Sequence, residues 1–546
     1  MAFKNFSSRA GSSSLPFKYV PAEEVERIEK YQPGGYHPIM IGDALQSRYR
    51  VAHKLGHGTY STIWLCRDCQ TNKYVAVKVG TAESNSREAD VLDYLNHSSP
   101  LDHPSRAMIP SVQDRFVLHG PNGLHPCYVT ALAMCSVSGA KDASYKRIFQ
   151  ARTARSLIVQ LVLAVEYIHS KEVVHGDLHP GNVLLRLPAD FDQLSIEQLY
   201  ERYGSPAPEP VVRLDGQPLE SSVPVSIVPP IWLGKPSEQF HPSESNVLLS
   251  DFGEAYRPLI EHRCSSQAPF SFVPPEARFE PEQGLSFPAD IWSLACSIWI
   301  ILGQRPLFED ILATPDDITA GQVETLGNLP LRWWKKWEAR HEYFDESGKP
   351  NQGRQVTSWD DRFETHIQLP QQKAGIPGFD KEEKAALMEM LRSMLSFEPE
   401  KRLTAQDILN YVLYVEDMEQ YGDDDGEAIQ LYQIGRRKAW LALAVAAWRC
   451  LASVVRRQVT DSPSFSPRPP SAYRRPSVPS IRLGLPSYID LDIDIDIDIN
   501  FPRPSPLPRR EEQPSFQLRP TARFAYHPTS TKPEPNFSVS RILPQA

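Results

Sequence analysis

Val174-His175-Gly176-Asp177-Leu178-His179-Pro180-Gly181-Asn182-Val183-Leu184-Leu185 is the stretch on which the reading of this chain turns. It follows Ser156–Ser170 (SLIVQLVLAVEYIHS), which is apolar nearly all round and predicts a helix buried in a large domain. An aspartate and an asparagine five residues apart, on a tight loop after such a helix, suit two jobs. Asp177 can orient an attacking hydroxyl and accept its proton, while Asn182 can bind Mg²⁺.

Working outward, a second metal ligand is available at Asp251-Phe252-Gly253, preceded by the strand-like Val247-Leu248-Leu249. Upstream lies Leu55-Gly56-His57-Gly58-Thr59-Tyr60-Ser61-Thr62, a Gly-x-Gly turn between apolar runs. Without side chains in the way, backbone N–H groups can approach phosphates closely. Ser61 stands where a third glycine would complete the motif. Val75-Ala76-Val77-Lys78 follows at the right distance, and a lysine there can reach the α- and β-phosphates of ATP if a helix glutamate holds it. Glu88 is the candidate partner, with Glu83 nearby as the alternative. Composition and punctuation predict strands over Tyr49–Lys54, Ser61–Arg67 and Tyr74–Val79, then a helix over Ser86–Leu95 with Val91, Leu92 and Leu95 on one face. Each motif alone is weak; their order and spacing make the signal. Farther on come Pro274-Pro275-Glu276, Glu398-Pro399-Glu400-Lys401-Arg402, and an apolar helix opened by Asp290-Ile291-Trp292-Ser293. A buried Asp290 would need hydrogen-bond donors, which the backbone of the 174–182 loop can supply.

With 546 residues, 41% of them hydrophobic, the chain has room for one large two-lobed domain plus appendages. A net charge of -9 argues against a nucleic-acid-binding body. Seven cysteines do not form a disulfide framework at this length and point to a reducing compartment; Cys66 and Cys69 are a lone Cys-x-x-Cys, a weak zinc signal. No secretory leader is apparent, and the apolar stretch 439–455 is too short to span a membrane and is broken by Arg449. It reads as a helix that docks on its own domain, a partner groove or a membrane surface. The organisation expected is a polar leader over 1–48, a globular domain over 49–415, an acidic patch and helix over 416–460, and a Pro/Ser/Arg-rich disordered tail over 461–546. Prolines crowd 187–245, which predicts an insertion or a flexible excursion. The Ile/Asp alternation at 489–500 reads as a low-complexity repeat.

Taken together, these motifs resemble the eukaryotic protein kinase family over roughly 49–414. Within it the sequence is most similar to the SR-protein kinases, which phosphorylate serines in Arg/Ser-rich splicing factors. The residues that carry the closer resemblance are Tyr36-His37-Pro38 with Ile41-Gly42-Asp43, Lys54-Leu55-Gly56-His57-Gly58 with Ser61-Thr62-Ile63-Trp64-Leu65, and Gly120-Pro121-Asn122-Gly123 with His125 and Cys127 ahead of a hinge near Ala131–Ala133. The resemblance implies an α+β bilobal fold, with a mostly-β small lobe and a mostly-α large lobe, and ATP and Mg²⁺ as cofactors. It implies that Lys78 and Glu88 form the small-lobe ion pair, that Asp177 is the catalytic base, and that Asn182 and Asp251 hold magnesium. ATP would lie against Leu55, Gly56, His57, Gly58, Ser61, Ile63, Ala76 and Lys78, and Glu276 with Arg402 would form the structural ion pair of the large lobe. A protein substrate, a monomeric state, no direct nucleic-acid contact, no transmembrane segment and residence in cytoplasm and nucleus go with it.

Two departures matter. Gly176 replaces the arginine that usually receives an activation-loop phosphate, which predicts activity without loop phosphorylation. His179 replaces a lysine that contacts the transferring phosphoryl group, and a mostly neutral imidazole would stabilise its charge less well. Other readings are a pseudokinase scaffold and a small-molecule phosphotransferase, whose catalytic loops also resemble His175–Asn182. Asp310, Asp316, Asp317 and Glu324 are the candidates either to line an acidic groove for Arg-rich peptides or to form a solvated acidic face. Ser466-Pro467-Arg468 and Arg474-Arg475-Pro476-Ser477 are candidate phosphoacceptor or adaptor segments of the tail.

Overall fold

Side chains that alternate along consecutive strands give the first lobe its two buried faces. The computed structural model describes residues 17–97, 104–188, 190–309 and 311–411. Asp310, the 439–455 stretch, the Ile/Asp alternation and both tail motifs lie outside them. The first lobe contains β1 (Ala44–Leu45), β2 (Tyr49–His57), β3 (Ser61–Asp68), β4 (Lys73–Gly80), α1 (Arg87–His97), β5 (Asp114–Gly120) and β6 (Gly123–Ala131). The strands form one antiparallel sheet of order β1-β2-β3-β4-β6-β5. Trp64, Cys66, Val75, Val77 and Val79 turn to one face and pack with Ile39, Leu45 and Val129. Leu65 and Tyr74 turn to the other, the face that also carries Ala76 and Lys78 by alternation.

β7 (Ala133–Ser136), α2 (Val137–Asp142), α3 (Ala151–Ser170) and β8 (Val183–Arg186) open the second lobe. Ser156–Ser170 is thus the C-terminal part of a longer helix. α3 buries Leu157, Leu161, Val162, Val165 and Ile168 in the large core.

The proline-rich stretch 187–245, where the sequence suggested an insertion or a flexible excursion, is folded against the small-lobe sheet. Its helix α4 (Ile196–Tyr203) starts in a capping box between Ser195 and Gln198. Leu199 of α4, with Phe191 and Leu233, covers Ala52, Leu65 and Tyr74. The Tyr200 hydroxyl donates to Ala52 O at 2.7 Å, and Ile231 N donates to Lys54 O at 2.8 Å. β9 (Glu209–Pro210) and β10 (Ser226–Ile227) pair with each other. Residues 17–45 likewise belong to the fold rather than forming a polar leader: Tyr19, Ile28, Tyr31 and Tyr36 make a satellite core with Val211, Val223 and Ile227. A few well-placed aromatic and aliphatic residues anchor both segments, while the average composition between them stays loop-like.

Beyond this segment run β11 (Val247–Leu249), α5 (Glu276–Phe279), α6 (Phe287–Leu302) and α7 (Pro315–Leu326). β11, β8 and β7 form a three-stranded sheet in that order. α6 is apolar all round and, with Trp292 and Trp299 fully buried, forms the centre of the large lobe. Arg402 clamps Glu276 with two parallel bonds of 2.7 and 2.6 Å. No helix among the described residues is long and apolar enough to cross a membrane.

Candidate active site

The 174–182 loop is held from below by one carboxylate. Asp290, 1% exposed near the start of α6, accepts from His175 N at 2.7 Å, Gly176 N at 3.0 Å and His169 Nε2 at 2.9 Å. Burial alone would raise its carboxyl, but the hydrogen bonds from His169 and the Gly176 N–H hold it below the ordinary value. Gly176 itself needs to be glycine: its φ is +77°, and an added Cβ would meet Glu254 O at 2.9 Å.

Above this anchor, Asn182 Nδ2 donates to Asp177 O at 2.8 Å and to its carboxylate at 3.2 Å. That orientation leaves the carboxamide oxygen as the Asn182 atom for a cation. Ser250, just before the Asp-Phe-Gly, donates its N–H and its hydroxyl to Asn182 O at 2.8 and 2.9 Å. His175 stitches the same two segments: its Nε2 lies 3.0 Å from Ser250 O, its Nδ1 accepts from Asp177 N at 3.3 Å, and its ring packs 4.9 Å from Phe252. Burial lowers its basicity and favours this neutral tautomer. The sequence reading gave His175 no role, because nothing in one chain marks which loop residue faces its neighbour.

Lys78 comes in from β4. Its amine lies 2.6 Å from Glu88 Oε2 and 3.4 Å from Asp251 Oδ1. Burial by itself would lower the ammonium, yet Tyr128, Asp251 and Glu88 hold it well above its ordinary value. In return the Lys78 charge, first among several causes, pulls the Asp251 carboxyl down against burial. Asp251 adopts a left-handed backbone, φ 64° and ψ 66°, which aims its carboxylate back toward the lysine. Glu83 does not compete for Lys78, because its side chain packs against Gly34. Tyr128 is a neighbour the sequence did not flag; Lys78 sits 6.0 Å from its ring centroid.

The glycine turn closes the other side. Ile63 pairs with Gly56 across β2 and β3 and with Lys78 across β3 and β4. An added Cβ at Gly56 would meet nothing within 4 Å, so the backbone there stands open to a ligand. Gly58 N donates to Ser61 O at 2.8 Å and shapes the turn, and His57 is exposed beside it. Leu55, Leu132 and Met134 line the same apolar face, partly buried; Leu132 lies within the expected hinge, and Met134, just past it, was not singled out from sequence. Asn182 and Asp251 offer hard oxygen donors from two cross-linked segments, a set that suits Mg²⁺. Open glycine backbone, a lysine and these oxygens fit a magnesium-bound nucleoside triphosphate.

His179 Nδ1 accepts from Gly181 N at 3.1 Å, so its Nε2 carries the proton and lies 3.7 Å from Asp177 Oδ1. Of the acidic-groove candidates among the described residues, Asp316, Asp317 and Glu324 are each engaged within their own lobe. Asp316 is held by Arg278 at 2.5 Å and Trp337 Nε1 at 2.6 Å. Asp317 caps α7 through Thr314 N at 2.8 Å and accepts from Tyr343 at 2.9 Å. Glu324 faces Arg354 at 2.5 Å and Arg362 at 3.5 Å. Arginines and caps of the same lobe consume the charge that spacing alone seemed to leave free. Cys66 is buried and Cys69 exposed, so the two thiols of the Cys-x-x-Cys sit in different surroundings.

Compared with known proteins, the sequence matches the protein kinase domain over residues 49–191 and 235–413. It is similar to a serine/threonine protein kinase of Aspergillus fumigatus, 27% identical over 396 residues that cover 71% of this chain and 89% of that protein. It is 29% identical to the serine/threonine-protein kinase SRPK of Physarum polycephalum over 409 residues, 71% of this chain and 91% of the other. Human SRSF protein kinase 3 is 34% identical over 195 residues, 34% of each chain.

Proposed function

Because this chain belongs to the protein kinase family, as a serine/threonine protein kinase similar to the SR-protein kinases, we propose that it transfers the γ-phosphoryl group of ATP to serine or threonine hydroxyls of Arg/Ser-rich proteins. The observation that carries the catalytic part is the Lys78 amine at 2.6 Å from Glu88 and 3.4 Å from Asp251. ATP supplies the phosphoryl group, and magnesium offsets its charge. Lys78 orients the α- and β-phosphates, and Asn182 and Asp251 hold the metal. Asp177 accepts the hydroxyl proton as the substrate oxygen bonds to the γ-phosphorus and the bond to the departing ADP breaks. His179, donating through Nε2, steadies charge on the transferring group where a lysine would do so more strongly.

The Arg/Ser preference draws its support from the similarity to SRPK and SRSF protein kinase 3 and from the small-lobe motifs. The paired Asp316, Asp317 and Glu324 lend it none. With this reading go a monomeric enzyme and residence in cytoplasm and nucleus. Transfer of radiolabelled phosphate from ATP to an Arg/Ser-repeat peptide, a neutral Ser/Thr peptide and a small alcohol, by wild type and Asp177→Ala in parallel, tests the reaction and its acceptor preference. Transfer to the Arg/Ser peptide that Asp177→Ala abolishes is expected. Equal labelling of both peptides removes the substrate preference, and no labelling of any acceptor removes the enzyme reading.

A further inference from the structure

Under the glycine turn runs a buried polar chain that the catalytic residues do not use. Lys54, 1% exposed and immediately before Leu55-Gly56, pairs with Glu26, 3% exposed. Burial would raise the Glu26 carboxyl, but Lys54 and Tyr31 hold it below the ordinary range. Glu26 also accepts from the Tyr31 hydroxyl, and the Tyr31 ring lies 5.5 Å from that of Tyr36. The Tyr36 hydroxyl then donates to Gly58 O at 2.7 Å, with Thr59 O at 3.2 Å. The segment that carries these residues is fastened on its far side as well. Asn122 Nδ2 donates to Tyr36 O at 2.7 Å and Ser222 O at 2.9 Å. Ala82 N and Glu83 N, just past the Lys78 strand, donate to Gly35 O and Gly34 O at 3.0 and 2.9 Å.

We propose that Tyr36 is a positioning residue for the nucleotide: it holds the Gly58 carbonyl and so sets the glycine turn over the phosphates. The inference rests on the reading that this turn covers ATP. Peptide units are planar and trans, so a Gly58 C=O turned to Tyr36 leaves the Thr59 N–H facing away from it. Glycine backbone has the most freedom to lose on binding, and a turn already tethered in the free protein has less left to lose when a ligand arrives. The phenol is suited to this. Burial, helped by Glu26, pushes it up to about 12, so it remains a donor at neutral pH. Residues 17–36 and the 209–227 stretch, which share the satellite core with Tyr36, become the footing of the active-site roof.

Tyr36→Phe in the intact chain deletes the hydroxyl and keeps the ring. With a fluorescent ADP analogue and magnesium, the expected result is binding weaker by about 3- to 10-fold, the loss of one hydrogen bond. KM for ATP should rise in step, KM for peptide should stay as it is, and amides 56–61 should exchange hydrogen faster. Unchanged nucleotide affinity and unchanged exchange would overturn the proposal, as would a fall in kcat alone. Should Tyr36→Phe fail to fold, exchange in the wild type decides: amides 59 and 60, which make no backbone hydrogen bond of their own among the described residues, exchanging as fast as free peptide sink the tether, and protected ones uphold it. A wild type that binds no nucleotide breaks the underlying ATP reading instead, while the exchange comparison still judges the tether.

Discussion

His179 shows how one side chain's chemistry depends on its neighbours. From sequence it is an imidazole in a lysine's place, weaker at stabilising charge. In the fold its Nδ1 takes the Gly181 N–H at 3.1 Å and its Nε2–H faces Asp177 at 3.7 Å, so the ring is a fixed, one-proton donor. A lysine brings a full charge and three donors to the same spot. His179→Lys should therefore raise kcat on a saturating peptide with little change in KM for ATP, read by steady-state phosphate transfer. An unchanged or lower kcat counts against His179 as the limiting group. Gly176 makes the contrasting point: a side chain there would need a positive φ and would press on Glu254 O, so no arginine can be put back without moving the loop.

At the scale of the element, the activation segment is tied down by groups that need no phosphate. Arg87 of α1 donates to Ala255 O at 3.2 and 2.7 Å and pairs with Glu261. Arg257 reaches Glu172 at 2.5 Å and stacks 5.0 Å from the Tyr94 ring. Val174 and Tyr256 form an isolated antiparallel bridge. These contacts join α1, the catalytic loop and the segment after Asp-Phe-Gly into one unit. Phosphatase treatment should leave phosphate transfer unchanged. Arg87→Met should instead lower it, because about 1.5–3 kcal/mol of charge-assisted hydrogen bonding is lost at the joint. Activity that disappears on phosphatase treatment and returns on rephosphorylation would show that these ties do not suffice.

For the molecule as a whole, the large lobe depends on a buried ion pair between distant segments. Arg402, 7% exposed, clamps Glu276, 6% exposed, and also donates to Pro288 O at 2.8 Å and Ser396 O at 2.8 Å. Removing one partner strands the other charge in the interior. Arg402→Met should cost about 3–5 kcal/mol of stability, seen as a fall in the thermal or urea midpoint, whereas a surface arginine such as Arg305 should cost almost nothing. A midpoint unchanged in Arg402→Met would mean that Glu276 finds water or another donor.

The local patterns in this chain decided much by themselves. The β-favouring composition and punctuation over 49–79, the apolar runs of α3 and α6, and the order of Gly-x-Gly, lysine, His-Gly-Asp and Asp-Phe-Gly depend only on neighbours in sequence, so they could be read without coordinates. Asp290's need for donors was legible too, since a buried carboxylate must have them. What only the tertiary structure decided were pairings across long sequence separations. It chose Glu88 over Glu83 for Lys78, spent Asp316, Asp317 and Glu324 on arginines and caps, packed 187–245 onto the small lobe, and brought Tyr36 to Gly58. A hydrogen bond or ion pair is a contact of a few ångströms, and local patterning alone does not say which distant groups chain closure brings that near.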